Sequence, residues 1–177
     1  MTRTTFLTVV ITLALVTAGC AANTATLSDE PHCRAADFAP PFGEVDPCSA
    51  ESVLAAAVTT VFGYWPSEHP DQRVAFRAAR LLMDSAFAQR AEPAALVWAP
   101  VSATQWQQWR NDATTIAASA RVTSDDHPAD TATTASRVLA VELEPRNQPP
   151  IRWAVYAHAT RTTTGSAWLL SGMEVLS

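Results

Sequence analysis

Acid–base chemistry needs a group that titrates near neutral pH beside one that orients it, and only one histidine of this sequence lies in a stretch of regular periodicity. That histidine is His158, in Ile151–Arg161, where apolar and polar residues alternate. The alternation puts Arg152, Tyr156 and His158 on one face of a strand and Trp153 and Val155 on the other. Glu142, in the preceding alternating stretch, is the carboxylate a neighbouring strand would bring to such a base, with Glu144 and Glu174 the other strand-borne acids. Tyr156, His158 and Glu142 are therefore the candidate pocket residues. No spacing pairs His158 with Glu142, and a lone histidine on a strand is most often hydrogen-bonded or solvated, so no catalytic residue is assigned and an enzyme is not expected. His32, His69 and His127 show no ligand spacing, and the glycines form no phosphate-cradling motif, so neither a metal nor a cofactor is expected.

Helical periodicity occupies the first part of the folded region. Asp46-Pro47 suits a helix start, after which Leu54, Val58, Val61, Phe62 and Trp65 recur at 3.6-type spacing until Gly63–Pro66 ends the run. A second helix is expected from Pro70, turning Val74, Ala78, Leu81 and Leu82 inward, with Arg73, Arg77 and Arg80 on a neighbouring stripe that reads as a solvated face or, less often, an anion or partner site. Asp84 is placed to cap a further short helix through Phe87 to Arg90. Ser102 and Gln105 have the spacing of a capping box, and Val101 and Trp106 that of a hydrophobic staple. Trp106 and Trp109 then share one side of a short helix ending near Asn111. They either plug one end of the core or form an aromatic docking surface, and they are the candidate interaction surface.

Past Asp112 the period changes from 3.6 to 2. Thr114–Thr123, Thr131–Glu144, Ile151–Arg161 and Ala167–Leu176 alternate as half-buried strands do, and their short connections predict an antiparallel meander. Helices followed by such a sheet give an α+β domain.

Ahead of this domain, the apolar run Phe6–Gly19 follows Arg3 and ends in small residues, the layout of an export signal. It is shorter than the ~20 apolar residues that a spanning helix needs. Thr17-Ala18-Gly19-Cys20 resembles the lipobox of bacterial lipoproteins, in which the cysteine is acylated and the signal is cut before it. Thr17 departs from the leucine commonest there. The resemblance implies a signal peptide over residues 1–19, a lipid on Cys20 (palmitate or a similar acyl chain), and a chain anchored to the outer face of the cell membrane. Ordinary secretion with cleavage nearby is the other reading of the same run. The polar stretch to His32 reads as a flexible tether, so residues 20–46 hold the lipidated cysteine, the tether and a cysteine-bounded loop, and residues 47–177 the domain. In an exported compartment Cys33 and Cys48 are expected to form a disulfide, the other readings being two unrelated thiols and a metal site.

The 177-residue chain carries 12 basic residues, all arginine, against 17 acidic ones, for a formal net charge of −5. Nucleic-acid binding rests on cations that neutralise phosphates, and no basic cluster is present, so nucleic acid is not expected as a partner. The absence of lysine resembles actinobacterial coding.

Arg77-Ala78 with Leu81-Leu82, and Trp106-x-x-Trp109 leading into the first strand, resemble the nuclear transport factor two-like (cystatin-like) superfold from about Asp46 onward. The likeness is to its envelope version, with three helices packed on a curved four-stranded antiparallel sheet. This implies relatives among type IV secretion and conjugation assembly factors and small actinobacterial lipoproteins. The expected function is a lipid-anchored interaction or assembly module with an envelope protein partner. The alternatives are a small apolar ligand held in the cone between helices and sheet, and an acid–base enzyme of the polyketide cyclase type. Cys20→Ser should abolish acylation and release or mis-process the protein, because no segment after the signal is apolar enough to hold it in a bilayer. Full retention of Cys20→Ser in membranes after a high-salt wash defeats the anchor.

Overall fold

The computed structural model describes residues 33–176. The expected signal peptide, the lipidated Cys20 and the tether to His32 lie outside the described residues.

Helix α1 (Ala50–Val61) forms where small and branched apolar residues recur at helical spacing, burying Val53, Leu54, Ala57, Val58 and Val61. Its start is not at Asp46-Pro47, as the sequence suggests. The Asp46 carboxylate accepts from the Cys48 amide at 2.8 Å, closing a turn ahead of the helix, and Ser49 Oγ takes the cap by accepting from the Ser52 amide at 3.1 Å. Phe62 ends α1, and Tyr64, 3% exposed, turns inward in place of Trp65, which is 54% exposed.

The second helix is shorter than expected and rotated by one position. α2 (Arg73–Ala78) passes at once into a 3-10 turn (Ala79–Leu82), and the buried stripe is Ala75, Phe76, Ala79 and Leu82. Val74 is half-buried and Ala78 and Leu81 are exposed, because Phe76 fills the core and so sets the phase. The arginine stripe is a solvated face with partners: Arg73 pairs with Asp71, and Arg77 and Arg80 with Glu92. Asp84 breaks the chain direction and caps α3 (Ser85–Ala91) by accepting from the Phe87 amide. A second 3-10 turn (Glu92–Leu96) leads to α4 (Ala103–Asn111), where Ser102 Oγ accepts from the Gln105 amide as expected. Four α-helices therefore precede the sheet, not three, since Asp84 starts a helix of its own.

Strands β1 (Ile116–Val122), β2 (Thr134–Pro145), β3 (Ile151–Thr160) and β4 (Leu169–Leu176) form one antiparallel sheet in the order β1-β2-β3-β4. The fold is α+β. Burial alternates along β2, so Leu139, Val141 and Leu143 face inward and Val138, Ala140 and Glu142 outward. α1 contacts all four strands, and its stripe meets Val155, Ala157 and Ala159 of β3. The interior is filled by these side chains with Phe62, Phe76 and Trp109.

Cys33 and Cys48 are bonded, with Cα atoms 5.6 Å apart across a separation of 15 residues. The enclosed loop contains the cis Pro40-Pro41 bond and buries Phe42 in the core. Closing a loop of this length stabilises by roughly 3 kcal/mol in the chain-entropy model. A Cys33→Ser, Cys48→Ser protein should fold but unfold at correspondingly lower denaturant, and the mass of the unreduced protein should show no free thiol at either position. Two alkylatable thiols in the native protein refute the bridge.

Candidate functional site

The antiparallel register decides which of the expected site residues meet. His158 lies opposite Ser136, Tyr156 opposite Val138, and Glu142 opposite Arg152. His158 Nδ1 is 2.8 Å from Ser136 Oγ, and its ring meets Tyr156 edge-on with centroids 4.6 Å apart. On the other side it lies across Gly172, where a Cβ would come within 3.0 Å of His158 Cδ2. The imidazole is thus fixed by a hydroxyl, an aromatic edge and a glycine. Glu142 is ion-paired with Arg152 instead, six positions from Ser136 along β2, which is about 20 Å at strand rise. The base and the carboxylate expected to orient it are therefore not brought together, and among the described residues no carboxylate bonds His158. Both sit on the outward face of the sheet and do not line a pocket between sheet and helices.

Trp106 and Trp109 do not form a docking surface. Trp106 is 4% exposed and stacks edge-on against Tyr64, with centroids 5.4 Å apart, while Trp109 is fully buried. Trp109 Nε1 donates to Gln148 Oε1 at 2.8 Å, tying α4 to the β2–β3 turn. Tyr64 and Gln148 hold the indole pair in the end of the core, which is the other of the two roles their spacing allows. Burial also pushes the Tyr64 phenol well above its ordinary pKa.

The polar cluster that the structure does assemble is not evident from sequence spacing, and it centres on Arg137. This residue is 8% exposed and occupies the inward face of β2, in phase with Leu139 and Val141. Its guanidinium donates to both oxygens of Asp130 at 2.7 Å, to Glu51 Oε1 in the first turn of α1 at 3.0 Å, and to the Ser136 carbonyl at 2.7 Å. His127 Nδ1 lies 3.4 Å away. Nearby, Arg161 sits over the Trp168 ring at 4.3 Å and donates to the carbonyls of Ala132 and Thr164. These groups and the Cys48 end of the disulfide line an open cleft of about 400 Å³. The signal in the sequence is a charged residue at an inward position of an otherwise apolar strand face, which demands buried partners.

Chemically the cluster is a closed set of charges. Hydrogen bonds from Arg137 hold the Asp130 carboxyl below its ordinary range, and those to Asp130, then Glu51, push the guanidinium up. The Arg137 contacts tie the connection that carries Asp130, and α1, to the sheet. Among the described residues no group of three or more His, Cys, Asp or Glu side chains is placed to hold a metal ion.

Comparison with known protein families, curated proteins and solved structures finds no match. Among the described residues no helix is long and apolar enough to cross a membrane.

The Asp130 carboxyl has a lower pKa folded than unfolded, so its stabilisation is present above the unfolded value, near pH 4, and is lost as pH falls through the folded one. Asp130→Asn should therefore lower the melting temperature at pH 7 and flatten its fall between about pH 4 and 2. Parallel melting curves for the two proteins over that range contradict the Arg137 latch.

Proposed function

We propose that the chain is an exported lipoprotein, anchored through Cys20 to the outer face of the cell membrane, whose domain works by contact with another envelope protein. The observation that supports this is the filled interior. Val53, Leu54, Ala57, Val58 and Phe62 occupy the space between α1 and the sheet, where an apolar ligand would sit in a cystatin-like cone, and each is fully buried. The chemistry-bearing side chains point the same way, since His158 and Glu142 are held apart by register and the charged cluster around Arg137 is internally satisfied. What is left for function is the surface. The Cys33–Cys48 bridge suits an exported protein, in which disulfides form and persist. Helices ahead of a four-stranded antiparallel meander also suit the nuclear transport factor two-like architecture of secretion and conjugation assembly factors, which makes such a complex the proposed setting.

His158 supplies the test, because a catalytic acid or base contributes roughly 10²–10⁴-fold to rate and its removal would be nearly null. His158→Ala should complement a gene deletion and melt at an unchanged temperature. A phenotype as severe as the deletion, in a protein of unaltered stability, overturns the surface reading in favour of an enzyme.

A further inference from the structure

The two ends of α1 differ in how their charges and main chain are satisfied. At the start, the disulfide, Arg137 and Arg161 engage the groups around them. At the finish, beyond Phe62, the chain meets the first residues of β1, an edge strand. The bonds from the Thr123 amide to the Val138 carbonyl and from the Arg146 amide to the Thr115 carbonyl fix the parity of the β1–β2 ladder. Odd-numbered residues of β1 bond to β2, so the amides and carbonyls of Ile116, Ala118, Ala120 and Val122 point away from the sheet. Thr59 Oγ1 of α1 accepts from the Ala120 amide at 3.0 Å. The Ile116 and Ala118 amides have no partner among the described residues.

Beside that open edge is an apolar cleft of about 290 Å³ lined by Gly63, Tyr64, Trp65, Thr115 and Ile116. Trp65, which helical spacing would have buried, is more than half exposed there. Arg73, Arg77, Arg80, Arg137 and Arg152 have carboxylate partners, whereas Arg34, Arg90 and Arg161 elsewhere, and Arg110, Arg121 and Arg146 before, within and beside β1, make no ion pair among the described residues, and the last three are exposed. Asp112, Glu144 and Glu142, the last opposite Ser119 and paired with Arg152, are the nearby acids, so Arg110, Arg121, Arg146 and Arg152 face three carboxylates around the strand in a chain of net charge −5.

We propose that the β1 edge and this cleft bind an extended segment of the partner as an added strand, one in which acidic and apolar residues alternate. An extended main chain is what pairs with outward amides and carbonyls along a strand. Alternation follows from the two faces of the sheet: a residue opposite Ile116 projects to the α1 side, into the cleft against Trp65. One opposite Ser119 projects to the other face, within diagonal reach of Arg121. A second copy of this chain fits worse. Pairing of β1 with itself that extends past Ala118 meets the Ala120 amide that Thr59 already holds, and Ile116–Val122 supplies an arginine and no acid. This proposal rests on the surface-contact reading above, but its test is independent of location.

The full chain in detergent micelles is titrated with a synthetic peptide of alternating glutamate and valine and followed by amide exchange. Protection should appear at Ile116 and Ala118, and a peptide interrupted by proline should give none. Arg121→Glu should weaken binding about tenfold and transfer the preference to a lysine–valine peptide, reversing one cross-strand charge pair. Ala118→Pro, which removes only an outward amide, and Trp65→Ala, which empties the cleft wall, should each abolish protection with melting temperature retained. Unprotected Ile116 and Ala118 amides at millimolar peptide, or affinity indifferent to Arg121→Glu, overturn the proposal while leaving the anchored reading intact. Protection that rises with protein concentration in the absence of peptide replaces the partner with a second copy.

Discussion

Everything in this fold is referred to one contact, the apolar stripe of α1 laid across the inward face of the sheet. Val53, Leu54, Ala57, Val58 and Val61 are all but inaccessible, and the strand residues beneath them, Leu139, Val141, Leu143 and Val155, are equally buried. Fully burying one such side chain contributes about 1.5–3 kcal/mol, so this layer outweighs any ion pair on the surface. It also determines how the interior is filled. A helix packed directly on the sheet closes the space in which a cone-shaped domain would hold a ligand, and it assigns each strand residue to an inward or an outward face.

That assignment explains the division of polar residues. Arg137 is the one basic residue placed on the inward face of β2, and a charge so placed must be matched. It is matched by Asp130 from a connection and Glu51 from the start of α1, so a single side chain sews three segments together at the end where Cys33 enters. The disulfide joins the same neighbourhood, through the Cys48 that precedes the cap Ser49. The outward face bears the residues of catalytic type, and there the ladder separates them. Ser136 and His158 are directly opposite each other, while Glu142 is captured by Arg152 further along.

Local rules that depend on neighbours in sequence are legible in the residues alone. The caps Asp84 and Ser102, the four alternating strands and the pairing of Cys33 with Cys48 all follow from spacing or compartment. What spacing does not reveal depends on phase and on distant partners. Trp65 continues the spacing of α1, but the helix stops at Val61, and Tyr64 enters the core in its stead. Of the stripe expected at Val74, Ala78, Leu81 and Leu82, Leu82 is buried as expected, and the rest is one position out of phase because Phe76, a larger side chain, claims the interior and the backbone tightens into a 3-10 turn after it. The Trp106 and Trp109 pair is compatible with a plug or a platform on spacing alone. Only the arrival of Tyr64 and of Gln148 from elsewhere in the chain decides for the plug.

The same reasoning sets the finish of α1 apart from the rest of the surface. In the interior Arg137 has its carboxylates and Trp109 its amide oxygen, while the buried Trp106 and Trp153 indole nitrogens have no partner among the described residues. A folded chain retains exposed aromatic surface and unpaired edge amides at some cost in solubility and in the tendency to pair with other strands. At β1 that exposure is only partly blunted, since Thr59 shields Ala120 and stops there. The chain ends α1 at Val61, turns Trp65 outward beside Ile116, and leaves Arg121 without an ion pair among the described residues, so apolar area, open main chain and an unpaired cation fall along one edge strand. Each of these alone is ordinary on a protein surface. Their coincidence at the end of the domain opposite the disulfide is the ground for the proposed added strand.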